Sequence, residues 1–221
     1  MAFILDEINL RATSDPAGFI RECDAEFDLK VRHVADMIEK NREKSPIVLM
    51  SGPSGSGKTT TSKKIEEELK RRGVNTLALS MDNYFRTISD SSPRTAAGEL
   101  DLESPKCVDM ELLSEHFSRL SRGEAIDVPK YLFAEHRRSE TPSQTIKLGK
   151  NDIVVAEGIH ALNDDLTAAN PDALKLYISA RSNVEDDGDV CFKATWMRLV
   201  RRIVRDKLFR GASPEYTFGL W

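Results

Sequence analysis

A glycine-rich octapeptide is the part of this sequence best suited to do chemistry. It runs Gly52-Pro53-Ser54-Gly55-Ser56-Gly57-Lys58-Thr59, followed by Thr60, and it lies between an apolar run at 47–50 and a stretch with helical spacing. Glycines let several backbone N–H groups turn toward phosphate oxygens, and the start of a helix adds the positive end of its dipole. In such a loop Lys58 is expected on the β- and γ-phosphates and the Thr59 hydroxyl on Mg²⁺. A flexible Gly/Ser linker is the alternative, but a linker is not bracketed by a strand and an amphipathic helix.

Two carboxylates follow apolar runs that are typical of buried parallel strands. Asp82 comes just after the run at 76–80, and Glu157 ends the run that begins at Ile153. Strand, helix and strand in this spacing predict a right-handed βαβ unit, whose ligands gather beyond the carboxyl ends of the strands. Asp82 there can accept the proton of an attacking hydroxyl and help to hold Mg²⁺ through water. A surface turn is the alternative at Asp82, and Glu157 is expected on Mg²⁺ or its water shell.

Four arginines recur on one face of a predicted helix near the C-terminus. Arg198, Arg201, Arg202 and Arg205 stand at i, i+3, i+4 and i+7, beside an apolar stripe that includes Trp196 and Val200. Four guanidinium groups repel one another unless an anion lies opposite, and a triphosphate during transfer is a suitable partner. Ordinary surface arginines are the alternative.

A segment of aromatic and basic residues spans 128–138. It contains Tyr131, Phe133, His136 and Arg138, and aromatic rings beside His and Arg suit a planar base and a sugar. With the alternating stretch 144–148 it predicts a small β excursion from the main sheet. A solvated hairpin without a binding role is the alternative.

The remaining segments are interpreted as structural. Residues 1–45 are expected to form a helical lead-in, with Asp15 as a helix cap, ahead of a main domain at 46–221. Asp109 is expected to cap a helix that carries His116, which we interpret as a packed or exposed histidine rather than a ligand. The acidic stretch 185–189 lacks the downstream glutamate of a calcium loop and is interpreted as a solvated loop.

Bulk composition limits the class of protein. The 221 residues suit one α/β domain with a small appendage. A net charge of −4 with mixed signs argues against sequence-independent binding of nucleic acid. The three cysteines are widely spaced, which favours a reducing compartment. We find no signal peptide or membrane span, so a cytoplasmic protein without a membrane partner is expected.

These residues together resemble the uridine kinase and phosphoribulokinase family of P-loop kinases, in particular its bacterial uridine kinase-like branch. The resemblance implies an α/β P-loop fold with a doubly wound, mostly parallel sheet, flanking helices, a small β-hairpin excursion and an Arg-bearing lid helix. It also implies that the C-terminal end is short relative to the family. The matching segments are Gly52–Thr60, Asp82–Phe85, Asp101–Asp109, Pro129–Arg138, Glu157–Asn163 and Arg198–Gly211.

The resemblance implies transfer of the γ-phosphoryl group of ATP, or of GTP, to the 5′-hydroxyl of uridine or cytidine, with Mg²⁺. Asp82 is similar to the general base, Glu103 to the ribose-binding carboxylate, and Tyr131 and His136 to base-contacting residues. Arg202 matches an acceptor contact, and Arg205 and Arg210 match lid positions that face the phosphates. Further acceptor-site positions implied by the matching segments are Tyr84, Phe85, Phe133, Arg138 and Ile159.

Other functions remain open from the residues alone. The loop and Asp82 serve equally for a ribulose phosphate-like or pantothenate-like acceptor, and the aromatic segment 128–138 favours a nucleoside. A nucleotide-binding regulatory protein without turnover is a further alternative. The sequence leaves the base preference, the donor nucleotide and feedback regulation open, and a homo-oligomer is compatible with it.

Overall fold

The protein is described by a computed structural model of the chain. The structure describes every residue except Met1, Ala96, Ala97, Glu99, Leu102, Ala134, Arg181, Arg210 and Leu220. Of the expected site residues, Arg210 therefore lies outside the described residues. The described chain forms two compact units, one made of 1–33, 52–61 and 178–221 and the other of 34–51 and 62–177.

The secondary structure alternates between strands and helices along most of the chain. The helices are α1 Leu5–Ser14, α2 Pro16–Asn41, α3 Lys58–Arg71, α4 Met110–Ser121, α5 Asp164–Ala169, α6 Ala194–Phe209 and α7 Pro214–Gly219. The strands are β1 Phe3–Ile4, β2 Ile47–Ser51, β3 Asn75–Ser80, β4 Ile126–Val128, β5 Tyr131–Leu132, β6 Arg137–Arg138, β7 Gln144–Ile146, β8 Asp152–Glu157, β9 Leu174–Tyr177, β10 Val184–Asp186 and β11 Asp189–Phe192. Short 3₁₀ turns occupy Met81–Tyr84 and Pro105–Cys107. Among the described residues, no helix combines the length and apolar composition needed to cross a membrane.

The unit of 34–51 and 62–177 is built on a parallel sheet. Its strand order is β3-β8-β2-β9, and every residue of β2 is buried. Apolar runs such as 47–50 are buried on both faces of the sheet, which is why they are nearly continuous rather than alternating. The register places Ser80 opposite Glu157, so β3 and β8 end at the same edge. The predicted P-loop α/β fold is confirmed.

Helix α4 covers part of this core with one apolar face. Leu113, Phe117 and Leu120 are at most 1% exposed. The Asp109 side chain accepts a hydrogen bond from the Leu112 N–H, the N-cap that the sequence predicts. The expected β excursion consists of two antiparallel pairs, β4 with β7 and β5 with β6.

The unit of 1–33, 52–61 and 178–221 contains a second, three-stranded sheet. Its order is β1-β10-β11, with β1 parallel to β10. The helices expected in 1–45 are present as α1 and α2, and Phe3–Ile4 form a short strand that pairs with β10. The stretch 185–189, interpreted as a solvated loop, is exposed at 186–189, but it is not a loop, because it forms the β10–β11 hairpin. Its turn places Asp187 at φ 46° and Gly188 at φ 89°, the left-handed pair that a tight hairpin needs.

Candidate active site

The glycine loop occupies the connection between β2 and α3. Two of its glycines adopt the left-handed region, Gly55 at φ 75° and Gly57 at φ 96°. A Cβ atom on Gly55 would also lie 2.7 Å from the Arg198 carbonyl oxygen, so a side chain there is excluded by sterics as well as by backbone strain. The sequence therefore needs glycine here for conformation and for the close approach of α6.

Lys58 begins α3 and folds back over the loop. Its Nζ donates to the Gly52 carbonyl oxygen at 2.6 Å and lies 3.4 Å from the Pro53 carbonyl oxygen. Thr59 and Thr60 follow in the first turn of α3 and are exposed. The ammonium, the hydroxyls and the free N–H groups of the helix start thus lie at one end of α3, where anions are favoured.

Two arginines of α6 complete a cavity of about 250 Å³, which we call the loop cavity. It is lined by Gly55–Thr60 together with Arg201 and Arg205. Arg205 Nη2 lies 3.5 Å from Ser54 Oγ, and Arg198 Nε donates to the Ser54 carbonyl oxygen at 3.3 Å. The arginine face predicted from spacing therefore meets the glycine loop directly.

The loop cavity fits a polyphosphate. Ser56 Oγ is buried and has no hydrogen-bond partner among the described residues, which leaves a donor for a phosphate oxygen. No cluster of three or more His, Cys, Asp or Glu side chains able to hold a metal occurs in the described chain. Among the residues that line the loop cavity, Thr59 offers an exposed hydroxyl oxygen, which is a suitable ligand for a divalent ion bound to phosphates.

Arg202 differs from the other arginines of α6. Its side chain is 13% exposed, its Nε is 3.7 Å from Asp206 Oδ2, and its guanidinium lies 5.9 Å from the centre of the Trp221 ring. It is not among the residues that line the loop cavity. The apolar stripe of the same helix is largely exposed, with Trp196 at 45% and Val200 at 51%.

In the other unit, the predicted carboxylates leave neighbouring strands at one edge of the sheet. Asp82 is exposed and lies in the 3₁₀ turn that follows β3. The Ser80 side chain caps this turn, because its Oγ accepts a hydrogen bond from the Asp82 N–H at 3.4 Å. Glu157 ends β8 and is followed by Gly158, where a Cβ atom would lie 2.8 Å from the Met81 Cβ. The Gly158 backbone thus packs directly beneath the turn that carries Asp82.

An aromatic cluster follows that turn. The ring centres of Phe85, Tyr131 and Phe133 lie 4.9–5.6 Å apart in tilted or edge-on pairs. Phe85 and Tyr131 are also part of a cavity of about 500 Å³, the aromatic cavity, which Asp101 and Lys106 line too. Burial, and secondarily the nearby Cys107, raise the pKa of the Tyr131 hydroxyl, which has no hydrogen-bond partner among the described residues. This cavity has the rings and the polar groups that a planar ligand requires.

Arg138 lies behind the cluster rather than in the lining of the aromatic cavity. Its Nε donates to the Phe85 carbonyl oxygen and its Nη2 to the Tyr84 carbonyl oxygen, both at 2.9 Å. Nη2 also lies 3.0 Å from Asp109 Oδ2, while Arg86 binds the other carboxylate oxygen at 2.9 Å. Asp109, predicted only as a helix cap, is therefore also the centre of a clamp that holds the turn.

Tyr84 is the most enclosed of the predicted acceptor-site residues. Its side chain is fully buried, and its hydroxyl lies 2.8 Å from His116 Nδ1. Burial raises the pKa of the Tyr84 hydroxyl and lowers that of the His116 imidazole, with neighbouring charges as secondary causes. His116 is thus a packed residue, one of the two placements expected for it.

Three further predicted residues lie on exposed segments. Glu103 is exposed, and its N–H donates to Asp101 Oδ1. His136 occupies the β5–β6 turn at φ 52°. Ile159 is 42% exposed, and its carbonyl oxygen accepts from Ser51 Oγ. None of the three lines the loop cavity or the aromatic cavity.

Several residues of the two cavities were not selected from the sequence as site residues. Arg201 appeared only as part of the arginine face, and its i,i+4 spacing to Arg205 was the available signal. Asp101 and Lys106 line the aromatic cavity. They lie in an irregular segment, so no periodicity marked them.

A parallel sheet, a glycine loop that leads from its buried strand β2 into α3, and arginines over that loop define a P-loop nucleotide-binding protein. The model of the phosphoribulokinase/uridine kinase family matches residues 47–218, and the chain belongs to that family. A uridine kinase from Deinococcus deserti is 34% identical over 76% of this chain and 72% of its own length. One from Bacillus pumilus is 34% identical over 79% of this chain and 73% of its own.

Solved structures share the fold at lower identity. The YGR205w protein matches with a TM-score of 0.52 and 20% identity, covering 88% of this chain and 82% of its own. A structure from Silicibacter sp. TM1040, described provisionally as a fructose transport system kinase, matches with a TM-score of 0.50 and 18% identity, covering 78% and 77%. At these identities the likeness concerns the fold alone.

Proposed function

We propose that this protein is a kinase that transfers the γ-phosphoryl group of ATP to the 5′-hydroxyl of a nucleoside, with uridine or cytidine as the acceptor. The observation that carries the proposal is the loop cavity, in which Lys58, Arg201 and Arg205 surround a glycine loop. Family membership and relatives named uridine kinase support the reaction. Those names do not favour the ribulose phosphate-like, pantothenate-like or non-catalytic alternatives.

In the proposed reaction, the glycine-loop N–H groups, Ser56 and Lys58 bind the β- and γ-phosphates. Arg205 neutralises the charge that develops as the bond between the γ-phosphorus and the bridging oxygen breaks. Mg²⁺, when bound to Thr59 and to the phosphates, would supply further charge neutralisation.

Asp82 is the proposed general base. It takes the proton of the 5′-hydroxyl as that oxygen forms its bond to phosphorus, so ADP leaves and the nucleoside monophosphate remains. Its exposed position after β3 leaves the carboxylate accessible to an alcohol. Glu157, at the end of the neighbouring strand, is proposed to act on the metal's water shell.

The aromatic cavity is proposed to hold the nucleoside. Phe85 and Tyr131 line this cavity and offer ring faces and edges to a base, and Phe133 packs against both rings. Contacts of Glu103 with the ribose and of His136 with the base stay predictions from the family resemblance. So do direct substrate contacts by the predicted residues Tyr84, Arg138, Ile159 and Arg202.

A coupled assay of ADP release across nucleosides, sugars and pantothenate, with ATP or GTP as donor, tests this function. We expect turnover with uridine or cytidine and a loss of about 10³-fold in kcat/KM for Lys58→Ala. Lys63→Ala, an exposed lysine on the same helix that does not line the loop cavity, is the matched control and should keep full activity. Asp82→Asn should lower kcat and leave ATP affinity nearly unchanged. Absence of nucleoside-dependent ADP release in the unmodified protein would refute the proposal.

A further inference from the structure

Asp206 is a buried carboxylate next to the arginines of α6. The residue is 6% exposed, and ionised groups at such depth are normally paired. Its Oδ1 accepts from Arg205 Nε at 2.9 Å and lies 2.8 Å from Arg205 Nη2. A single oxygen of Asp206 therefore contacts both Nε and Nη2 of Arg205, while its Oδ2 lies 3.7 Å from Arg202 Nε.

This contact constrains the course of the Arg205 side chain. Adjacent residues of a helix do not face each other, so Arg205 has to bend along α6 to reach the neighbouring carboxylate. In that bent position its Nη2 lies 3.5 Å from Ser54 Oγ of the glycine loop. Among the described residues, none accepts a hydrogen bond from Arg205 Nη1, which remains for a ligand in the loop cavity.

Helix α7 contributes to the same carboxylate. Thr217 is 1% exposed, and its Oγ1 lies 3.5 Å from Asp206 Oδ2, at the long end of the hydrogen-bond range. The Asp206 carbonyl oxygen also accepts from the Ala212 N–H at 3.1 Å. The segment after α6 thus folds back onto Asp206 and limits its rotation.

We infer that Asp206 and Thr217 are positioning residues, which hold Arg205 in the orientation that presents its free Nη1 to the phosphates in the loop cavity. The inference rests on the proposed function for its catalytic consequence but not for its anion-binding consequence. Neither residue has to touch the substrate, since both act through the Arg205 guanidinium.

The sign of the effect separates positioning from simple charge. A carboxylate 2.8 Å from Arg205 partly cancels its positive charge. If charge alone mattered, Asp206→Asn would tighten anion binding. If orientation matters, the same substitution weakens anion binding, because Arg205 then rotates freely and loses its pre-organised geometry.

Inorganic tripolyphosphate is the probe, because it tests the loop cavity without a base or an acceptor. By titration calorimetry on the full chain, we expect Asp206→Asn and Arg205→Ala each to raise the Kd by about tenfold. In the Arg205→Ala background, adding Asp206→Asn should change the Kd by less than about twofold. Glu215→Gln, which removes an acidic charge from the neighbouring α7, is the matched control and should bind as the unmodified protein does.

A second pair of variants keeps the test valid if Asp206→Asn does not fold. Thr217→Val removes the hydroxyl at nearly constant volume, and we expect a Kd about threefold higher, with Thr217→Ser restoring the original value. An unchanged or tighter Kd in Asp206→Asn, or the same tenfold loss with and without Arg205, would overturn the inference. So would equal Kd values for Thr217→Val and Thr217→Ser.

The activity assay distinguishes this inference from the proposed function. If the unmodified protein binds tripolyphosphate but releases no ADP with any nucleoside, the proposed function fails and the binding cycle still decides the role of Asp206. If turnover is present, kcat should fall about tenfold in Asp206→Asn. The Asp206→Asn change should then have little further effect in the Arg205→Ala background.

Discussion

Replacement of Arg138 by methionine should weaken the turn that carries Asp82 and Phe85. Arg138 makes three contacts of 2.9–3.0 Å, with the Tyr84 and Phe85 carbonyl oxygens and with Asp109, and its side chain is 26% exposed. Hydrogen bonds that involve a charged group contribute about 1.5–3 kcal/mol each. Because one guanidinium makes all three and retains some solvent contact, we expect a total loss of about 3 kcal/mol in the free energy of unfolding.

The neighbouring arginine provides a matched control. Arg137 pairs only with Glu135 among the described acidic side chains, and their side chains are 48% and 52% exposed. An exposed pair of this kind contributes about 0–1 kcal/mol. Arg137→Met should therefore remove the same charge and nearly the same volume at little cost.

Urea unfolding, followed by circular dichroism, measures both variants. At about 2–4 °C per kcal/mol for a chain of this size, Arg138→Met should also lower Tm by roughly 6–12 °C. The loss of stability in Arg138→Lys should be smaller than in Arg138→Met but still measurable, because an ammonium keeps the charge and lacks the fixed donor directions of a guanidinium. If the kinase proposal holds, the KM for the nucleoside should rise about tenfold while ATP affinity stays unchanged. Equal losses for Arg138→Met and Arg137→Met would refute the clamp.

Two further predictions concern the same unit. Gly158→Ala places a methyl group 2.8 Å from the buried Met81 Cβ. Urea unfolding should therefore show that the free energy of unfolding falls by about 1–3 kcal/mol. Gly219→Ala is the control and should cause no such loss, because a Cβ there meets no described atom within 4 Å. Equal stability of the two variants would contradict this packing. The second prediction concerns His116, whose pKa is lowered by burial from its ordinary value of 6.5. As pH falls, the unfolded chain therefore binds a proton at this histidine before the folded protein does. The unmodified protein should lose stability as pH falls through 6.5. His116→Asn should lack that part of the decline below pH 6.5. Identical pH slopes for the two proteins would show that His116 is not held neutral.

The sequence predicted those elements whose signal is local. The glycine loop, β2, β3, β8 and α3 follow from apolar runs and from one motif, and the structure places them within one or two residues of the prediction. The Asp109 cap was also visible, because a cap acts on residues three positions away. Where a pattern and its physical cause lie within a few residues, reading it from sequence is reliable.

Contacts between distant segments were not visible. The clamp joins Arg138 to Asp109 and to the Tyr84 carbonyl oxygen, across 29 and 54 residues, and no periodicity marks such a pair. The β10–β11 hairpin was missed for a different reason. Its Asp187-Gly188 turn is a strong hairpin signal, but acidic residues in and beside the strands made the segment resemble a solvated loop.

Both units pair a shielded carboxylate with arginines beside a loop for which ligand binding is proposed. Asp109 and Asp206 have side chains only 13% and 9% exposed. In the turn after β3, the buried side chains of Met81, Tyr84 and Phe85 fix its depth, and the arginine adds hydrogen bonds to the backbone. A guanidinium offers donors in fixed directions, so a single paired arginine sets the orientation of a loop as well as its distance. Arg138, predicted as a substrate contact, accordingly donates hydrogen bonds to the backbone of the turn. In Arg205, by contrast, Nη1 is available to a ligand in the proposed arrangement.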